Sequence, residues 1–226
     1  MIRKIILLTS LLSASFLNAA TTQGNDSDQL TAKTDAQNNY VRDTWYIEFA
    51  LFPTAGIDIY TKGSNEEHHY GHKDTFGLQF GAGATVNPYL LLGGELSGFG
   101  YKNEERQFDG FYKRENRISI SNLLGVATFF PWEKGLFLRG GFGISQAKLE
   151  RKEKIFGYSK TYEDTVSGVA AVAGLGYAWW LGKSFNLSAK LDYSEQFYNK
   201  KIKFTDDKVT LDRVSTWMLG IGFHWY

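Results

Sequence analysis

The chain contains no cysteine in 226 residues, carries a formal net charge of +1, and has only three prolines. A disulfide scaffold is therefore impossible, and the near-balance of charge excludes wholesale binding to nucleic acid. Disorder is excluded as well, since 43% of residues are hydrophobic and 16% aromatic. Long apolar runs are scarce. Ile5 to Leu17 is shorter than the roughly 18–20 residues a helix needs to span a membrane. Val166 to Gly182 has no charge, but Gly168, Gly174, Gly176 and Gly182 would each cost a helix about 1 kcal/mol relative to Ala.

The N-terminus reads as an address. Arg3 and Lys4 precede the apolar stretch, and Asn18, Ala19 and Ala20 supply small residues for cleavage, so residues 1–20 are expected to be a Sec-type signal peptide. Residues 21–43 are almost wholly polar and are expected to form a flexible N-terminal segment. The remainder, 44–226, is expected to be one domain.

From residue 44 the hydrophobic period is two. Apolar side chains recur at Trp45, Ile47, Phe49 and Leu51, at Phe76, Leu78 and Phe80, and at Leu90, Leu92 and Leu96. The same spacing returns at Ile118, Ile120, Leu124 and Val126, and at Leu136, Leu138, Phe142 and Ile144. Val169, Leu175, Tyr177 and Trp179 repeat it, followed by Phe185, Leu187 and Leu191, and lastly Trp217, Leu219, Ile221, Phe223 and Trp225. Alternation puts these side chains on one face of each of eight strands. Connections at Asn87-Pro88, Pro131–Gly135 and Leu181–Ser184 are short; those around Thr61–Lys73, Asn103–Lys113, Arg151–Tyr162 and Asn199–Lys208 are long and charged. An even strand count with short turns at one end and long loops at the other predicts an all-β fold, an eight-stranded antiparallel up-and-down transmembrane β-barrel.

Two patterns support the membrane form. Trp45, Trp132, Trp179, Trp180, Trp225 and Tyr226 all fall at the short-turn ends, as a periplasmic aromatic girdle would. The face opposite the apolar one carries Glu48, Gln79, Glu95, Arg117, Arg139, Lys190, Asp192 and His224 among small residues. Its three acids and three strong bases cancel. Inside a barrel only wide enough for side chains they are expected to pair as a charge network of Glu48, Glu95, Arg117, Arg139, Lys190 and Asp192, filling the lumen. Pro53 would interrupt the first strand and is expected at a bulge near the outer rim, and Asn122 falls on the expected lipid face, which only a local bulge would explain.

The closing stretch Trp217 to Tyr226, with PYLLLGGELSGFGY at 88–101, LFLRGGFGIS at 136–145 and FNLSAKLDY at 185–193, resembles the small OmpA/OmpX/OmpW-like barrel domains of the Gram-negative outer membrane. The resemblance covers residues 44–226. It implies location in the cell outer membrane and a terminal aromatic recognised by the barrel-assembly machinery. Here Tyr226 follows the alternating Trp225 as an extra residue. The two-domain form of the family, with a peptidoglycan-binding domain after the barrel, is not expected.

Function is written more faintly. A structural or surface-interaction role in envelope integrity, adhesion or defence ranks first, and a narrow channel for small or hydrophobic solutes second. A lipid A-modifying enzyme ranks third, because the deacylase His-x-Ser-Asn motif is absent and no Ser/His/acid set has convincing spacing. No cofactor is expected. Glu66, Glu67, His68, His69, His72 and Asp74 crowd one loop, and His68 with His72 is a weak metal candidate against the better reading of a solvated loop. Lys148, Arg151, Lys152 and Lys154, with Lys200, Lys201 and Lys203, are expected above the apolar band, where lipopolysaccharide phosphates would lie.

Overall fold

A computed structural model describes residue 42 and residues 45–62, 67–107, 112–132, 135–155, 158–202 and 210–226, without the side chains of 54, 67–74, 105–107, 112 and 155. Residues 1–20, expected as a signal peptide, and the polar segment expected at 21–43 lie outside the described residues, Arg42 excepted. Eight strands follow in order: β1 (Trp45–Lys62), β2 (Glu67–Asn87), β3 (Leu90–Gln107), β4 (Tyr112–Phe129), β5 (Leu136–Ile155), β6 (Tyr158–Trp180), β7 (Phe185–Lys201) and β8 (Thr210–Trp225). Each pairs antiparallel with the next, and β8 returns to β1, closing an eight-stranded up-and-down barrel. Closure leaves every strand of the wall a neighbour on both sides, which answers the missing disulfides with a continuous hydrogen-bond ladder. Val166–Gly182 is strand, as its period indicates.

The barrel has its greasy surface outside. Phe76, Leu78, Phe80, Phe142, Ile144, Val169, Leu219 and Ile221 are all exposed, while Glu48, Glu95, Arg139, Lys190 and Asp192 are buried. A soluble barrel has the opposite arrangement; this is the outer-membrane kind of barrel.

Pro53 sits at a β-bulge. The β1 register shifts between Phe52 and Ala55 against β2, and between Leu51 and Thr54 against β8. The residue without an N–H donor thus falls where the ladder is already interrupted. The extra residue also reverses the parity of β1: Tyr46, Glu48, Ala50 and Phe52 point inward before it, Ala55 and Ile57 after it. The bulge lies mid-strand, because β1 runs on to Lys62.

The long charged connections are mostly ladder. Lys102 to Gln107 pairs with Tyr112 to Arg117, and Arg151 with Tyr162. Opposite charges on neighbouring strands hold these extensions: Lys102–Glu115 at 3.2 Å, Lys113–Glu104 at 2.9 Å and Lys148–Glu163 at 3.0 Å. Polarity had suggested loops, yet cross-strand ion pairs stabilise a strand that stands in water.

The sealed lumen and the charged outer rim

The lumen is stacked in three layers. At the short-turn end, Tyr46, Leu91, Phe130, Phe137, Ala178 and Tyr226 form an aromatic floor with Trp180 packed on it. Arg42 lies across its underside, its guanidinium 3.6 Å from the Phe130 ring centroid and donating to the Pro88 carbonyl at 2.8 Å. At the hairpin end an apolar plug gathers Phe52, Ile57, Phe99, Ile118, Ile120, Leu211, Val214 and Met218. The ionic cluster lies between them.

That cluster is closely bonded. Arg139 from β5 donates to Glu95 on β3, to Asp192 on β7 at 3.0 Å and to Gln79 Oε1 at 3.1 Å. Lys190 from β7 pairs with Glu48 on β1. The Gln79 amide donates to Glu48 at 3.2 Å and to Glu95 at 2.9 Å, tying the two groups together. Glycines make the space: a Cβ on Gly222 would meet Ser188 Oγ at 2.5 Å and Lys190 Cδ at 3.1 Å, and one on Gly174 would run into Asp192. Buried as it is, each charge would cost several kcal/mol without its partner.

Several expected placements are corrected. Arg117 is outside the lumen: it is exposed and lies 3.5 Å from Glu115 on the outer wall. Ile118, Ile120, Asn122, Leu124 and Val126 take the inner face of β4: Ile118 and Ile120 join the apolar plug, which accepts grease where charge was expected, and Leu124 and Val126 pack in a separate buried cluster with Ala170 and Val172. Asn122 is thereby explained, donating to Ser97 Oγ at 3.3 Å. The expected balance inside fails with Arg117, leaving three carboxylates against Arg139 and Lys190, with His224 Nε2 4.0 Å from Glu48. Tyr226 is buried and Trp180 half-buried in the floor, whereas Trp45, Trp132, Trp179 and Trp225 are exposed on the outer wall. The extra terminal residue simply takes the inward parity, and its N–H donates to the Ser184 carbonyl at 2.9 Å.

The basic group of β5 divides by parity. Lys148 and Lys154 are exposed and Lys152 shares their outward side, paired with Glu150 at 2.7 Å. Arg151 shares the inward side with Ala147 and donates to Asn116 Oδ1 at 3.3 Å, so it is removed from the outer set. The Lys152 ammonium holds the Glu150 carboxyl below its usual range, and the carboxylate raises Lys152 in return. His68 and His72 belong to β2, opposite Thr61 and Ile57, and their side chains lie outside the described residues. Among the described residues no group of three metal-ligating side chains gathers.

Ser188 Oγ lies 2.9 Å from His224 Nε2. This is not a nucleophile–base–acid set, because Glu48 approaches the same Nε2 while Nδ1, which an orienting acid must hold, has no partner among the described residues. Gln79 and Arg42 are the members that sequence reasoning undervalued. Gln79 stood in the inner set as a neutral residue; nothing in the pattern marks a cation just ahead of the first strand as a floor element.

No protein-family model matches the sequence, and no curated protein does. Among solved structures the chain is similar to the attachment invasion locus protein Ail of Yersinia pestis in complex with the heparin analogue sucrose octasulfate, at 18% identity over 81% of this chain and 100% of that one, TM-score 0.48. It is also similar to the outer membrane protein OprG of Pseudomonas aeruginosa, at 13% identity over 83% and 99%, TM-score 0.45. Neisserial surface protein A is a third, at 13% identity over 80% and 96%, TM-score 0.43.

Proposed function

We propose that this protein is an integral outer-membrane barrel that conducts nothing and acts through what its outer rim presents, a structural and surface-interaction role. One observation carries the membrane assignment. On β3, β4, β5 and β8 the first charge on the outward face comes twelve positions from the short-turn end: Leu90 to Lys102, Phe129 to Arg117, Leu136 to Lys148 and Trp225 to Arg213. At about 3.3 Å per residue and a tilt near 40°, that is roughly 30 Å of uncharged wall, about the thickness of a bilayer's hydrocarbon. Exposed Trp45, Trp132, Trp179 and Trp225 mark its lower edge, where amphipathic rings favour the headgroup level.

The sealed lumen supports the absence of conduction. Floor, ionic cluster and plug fill an interior that in an eight-stranded barrel has room only for side chains. The strands have 16–23 residues where 9–11 suffice to cross, so β3 to β6 project a charged hairpin surface beyond the bilayer. Such a surface suits contact with other molecules. Cell fractionation, mobility with and without boiling, and planar-bilayer recording test the reading together. Expected are outer-membrane recovery, a mobility shift on boiling and no stable openings; a soluble protein or steady conductance would overturn it.

A further inference from the structure

The first charges above the apolar wall are not distributed evenly around the barrel. On three adjacent strands they are all cations: Lys102 on β3, Arg117 on β4 and Lys148 on β5. Lys102 and Arg117 are direct register partners, and each of the three side chains is about half exposed. Their carboxylate partners stand farther from the wall: Glu115 is two residues beyond Arg117 on β4, and Glu163 opens the hairpin side of β6. The first outward charge on each of these three strands is therefore a cation; the register partner of Arg117 on β5 is Glu150, one outward position beyond Lys148 and paired with Lys152 at 2.7 Å. Across the barrel the same level is balanced, with Arg213 on β8 bonded to Glu195 on β7 at 3.0 Å and Asp58 on β1 beside them.

We propose that Lys102, Arg117 and Lys148, each the first outward charge on its strand, form a docking site for the phosphates of lipopolysaccharide in the outer leaflet. The inference rests on the membrane reading above, which sets these three cations at headgroup height. A phosphate there meets cations whose own acids are displaced toward water, so approach from the membrane side is attractive and approach of a carboxylate-bearing loop from above is not. The cations project from ladder strands rather than loop tips, so they are held at fixed spacing across three strands. The set differs from the basic cluster of β5 alone, and Arg151 has no part in it.

The test uses the full barrel in nanodiscs of phosphatidylcholine containing lipopolysaccharide, or lipopolysaccharide stripped of its lipid A phosphates. The readout is lipopolysaccharide retained per barrel after mild detergent extraction. Retention is expected to fall about tenfold or more when the phosphates are removed, and equally in the K102Q/R117Q/K148Q variant. It should be unchanged in K200Q/K201Q, which removes two exposed charges elsewhere on the rim. Native-like retention in the triple variant, indifference to the phosphates, or an equal loss in K200Q/K201Q would each overturn the proposal. Should the triple variant not fold, the phosphate-stripped arm on the native barrel still decides. A boiling-dependent mobility shift with unaltered retention sinks this site alone; loss of that shift in the native protein sinks the membrane reading instead.

Discussion

Arg139 and Asp192 meet at 3.0 Å in the middle of the barrel, from strands separated by the whole of β6. Both are almost fully buried, and Glu95 approaches the same guanidinium from the far wall. The contact spans the lumen, so it acts as a crossbar joining β3, β5 and β7.

Removing the crossbar should be costly. Arg139→Gln leaves two buried carboxylates on one missing cation and is expected to destabilise by about 3–5 kcal/mol in urea unfolding of the detergent-folded barrel. Lys190→Met should cost a similar amount by stranding Glu48, and Glu48→Gln/Lys190→Met should cost less than Lys190→Met alone. An additive or larger loss in the double variant would contradict the pairing.

Trp217 lies across Gly56, where a Cβ would run into the indole. Gly56→Val should displace the ring and cost about 1–3 kcal/mol by overpacking. Near-UV circular dichroism should change with it, whereas the exposed Tyr158→Ala should leave both readouts unaltered.

The two terminal aromatics should separate by readout. Tyr226 is buried against Tyr46, Trp180 and His224, so Tyr226→Ala is expected to lower equilibrium stability by about 3–5 kcal/mol. Trp225 is outward, 5.1 Å from the Phe185 ring, and Trp225→Ala should cost only about 1 kcal/mol of that contact while slowing insertion into bilayers. Folding kinetics into vesicles against urea midpoints tell them apart.

Charge outside the wall should behave unlike charge inside it. Glu150 is held below the usual carboxylate range by Lys152, so its contribution exists above that range and fades as pH falls through the lowered value. Lys152, raised by Glu150, contributes below the ordinary lysine range and loses that contribution as pH rises through the raised value. Glu150→Gln should therefore have a small effect near pH 7 that vanishes in acid and shrinks in high salt. Urea midpoints across pH and salt check this; the Arg139→Gln loss should be nearly insensitive to salt.

The strand count, the short-turn end, the inward Glu48, Glu95, Arg139, Lys190 and Asp192, and the outward Trp45, Trp132, Trp179 and Trp225 were legible because period two and turn residues are local signals. Asn122 and Arg117 were not. Alternation divides β4 into two faces but does not say which one is inside, and an apolar plug at the hairpin end accepts Ile118 and Ile120 as readily as lipid would. Hairpin length was misread because polar composition cannot distinguish a loop from a ladder held by Lys102–Glu115 and Lys148–Glu163 pairs.

By itself, then, the sequence determined an eight-stranded barrel with grease on its outer wall, since two-residue periodicity and punctuation need no knowledge of distant neighbours. Tertiary structure alone decided that Arg139 reaches both Glu95 and Asp192, that Tyr226 closes the floor, and that Arg117 joins Lys102 at the rim. The first two depend on barrel closure, which brings strands distant in the chain to face one another across the lumen, and the third on the β3–β4 register, which alternation along a single strand does not fix.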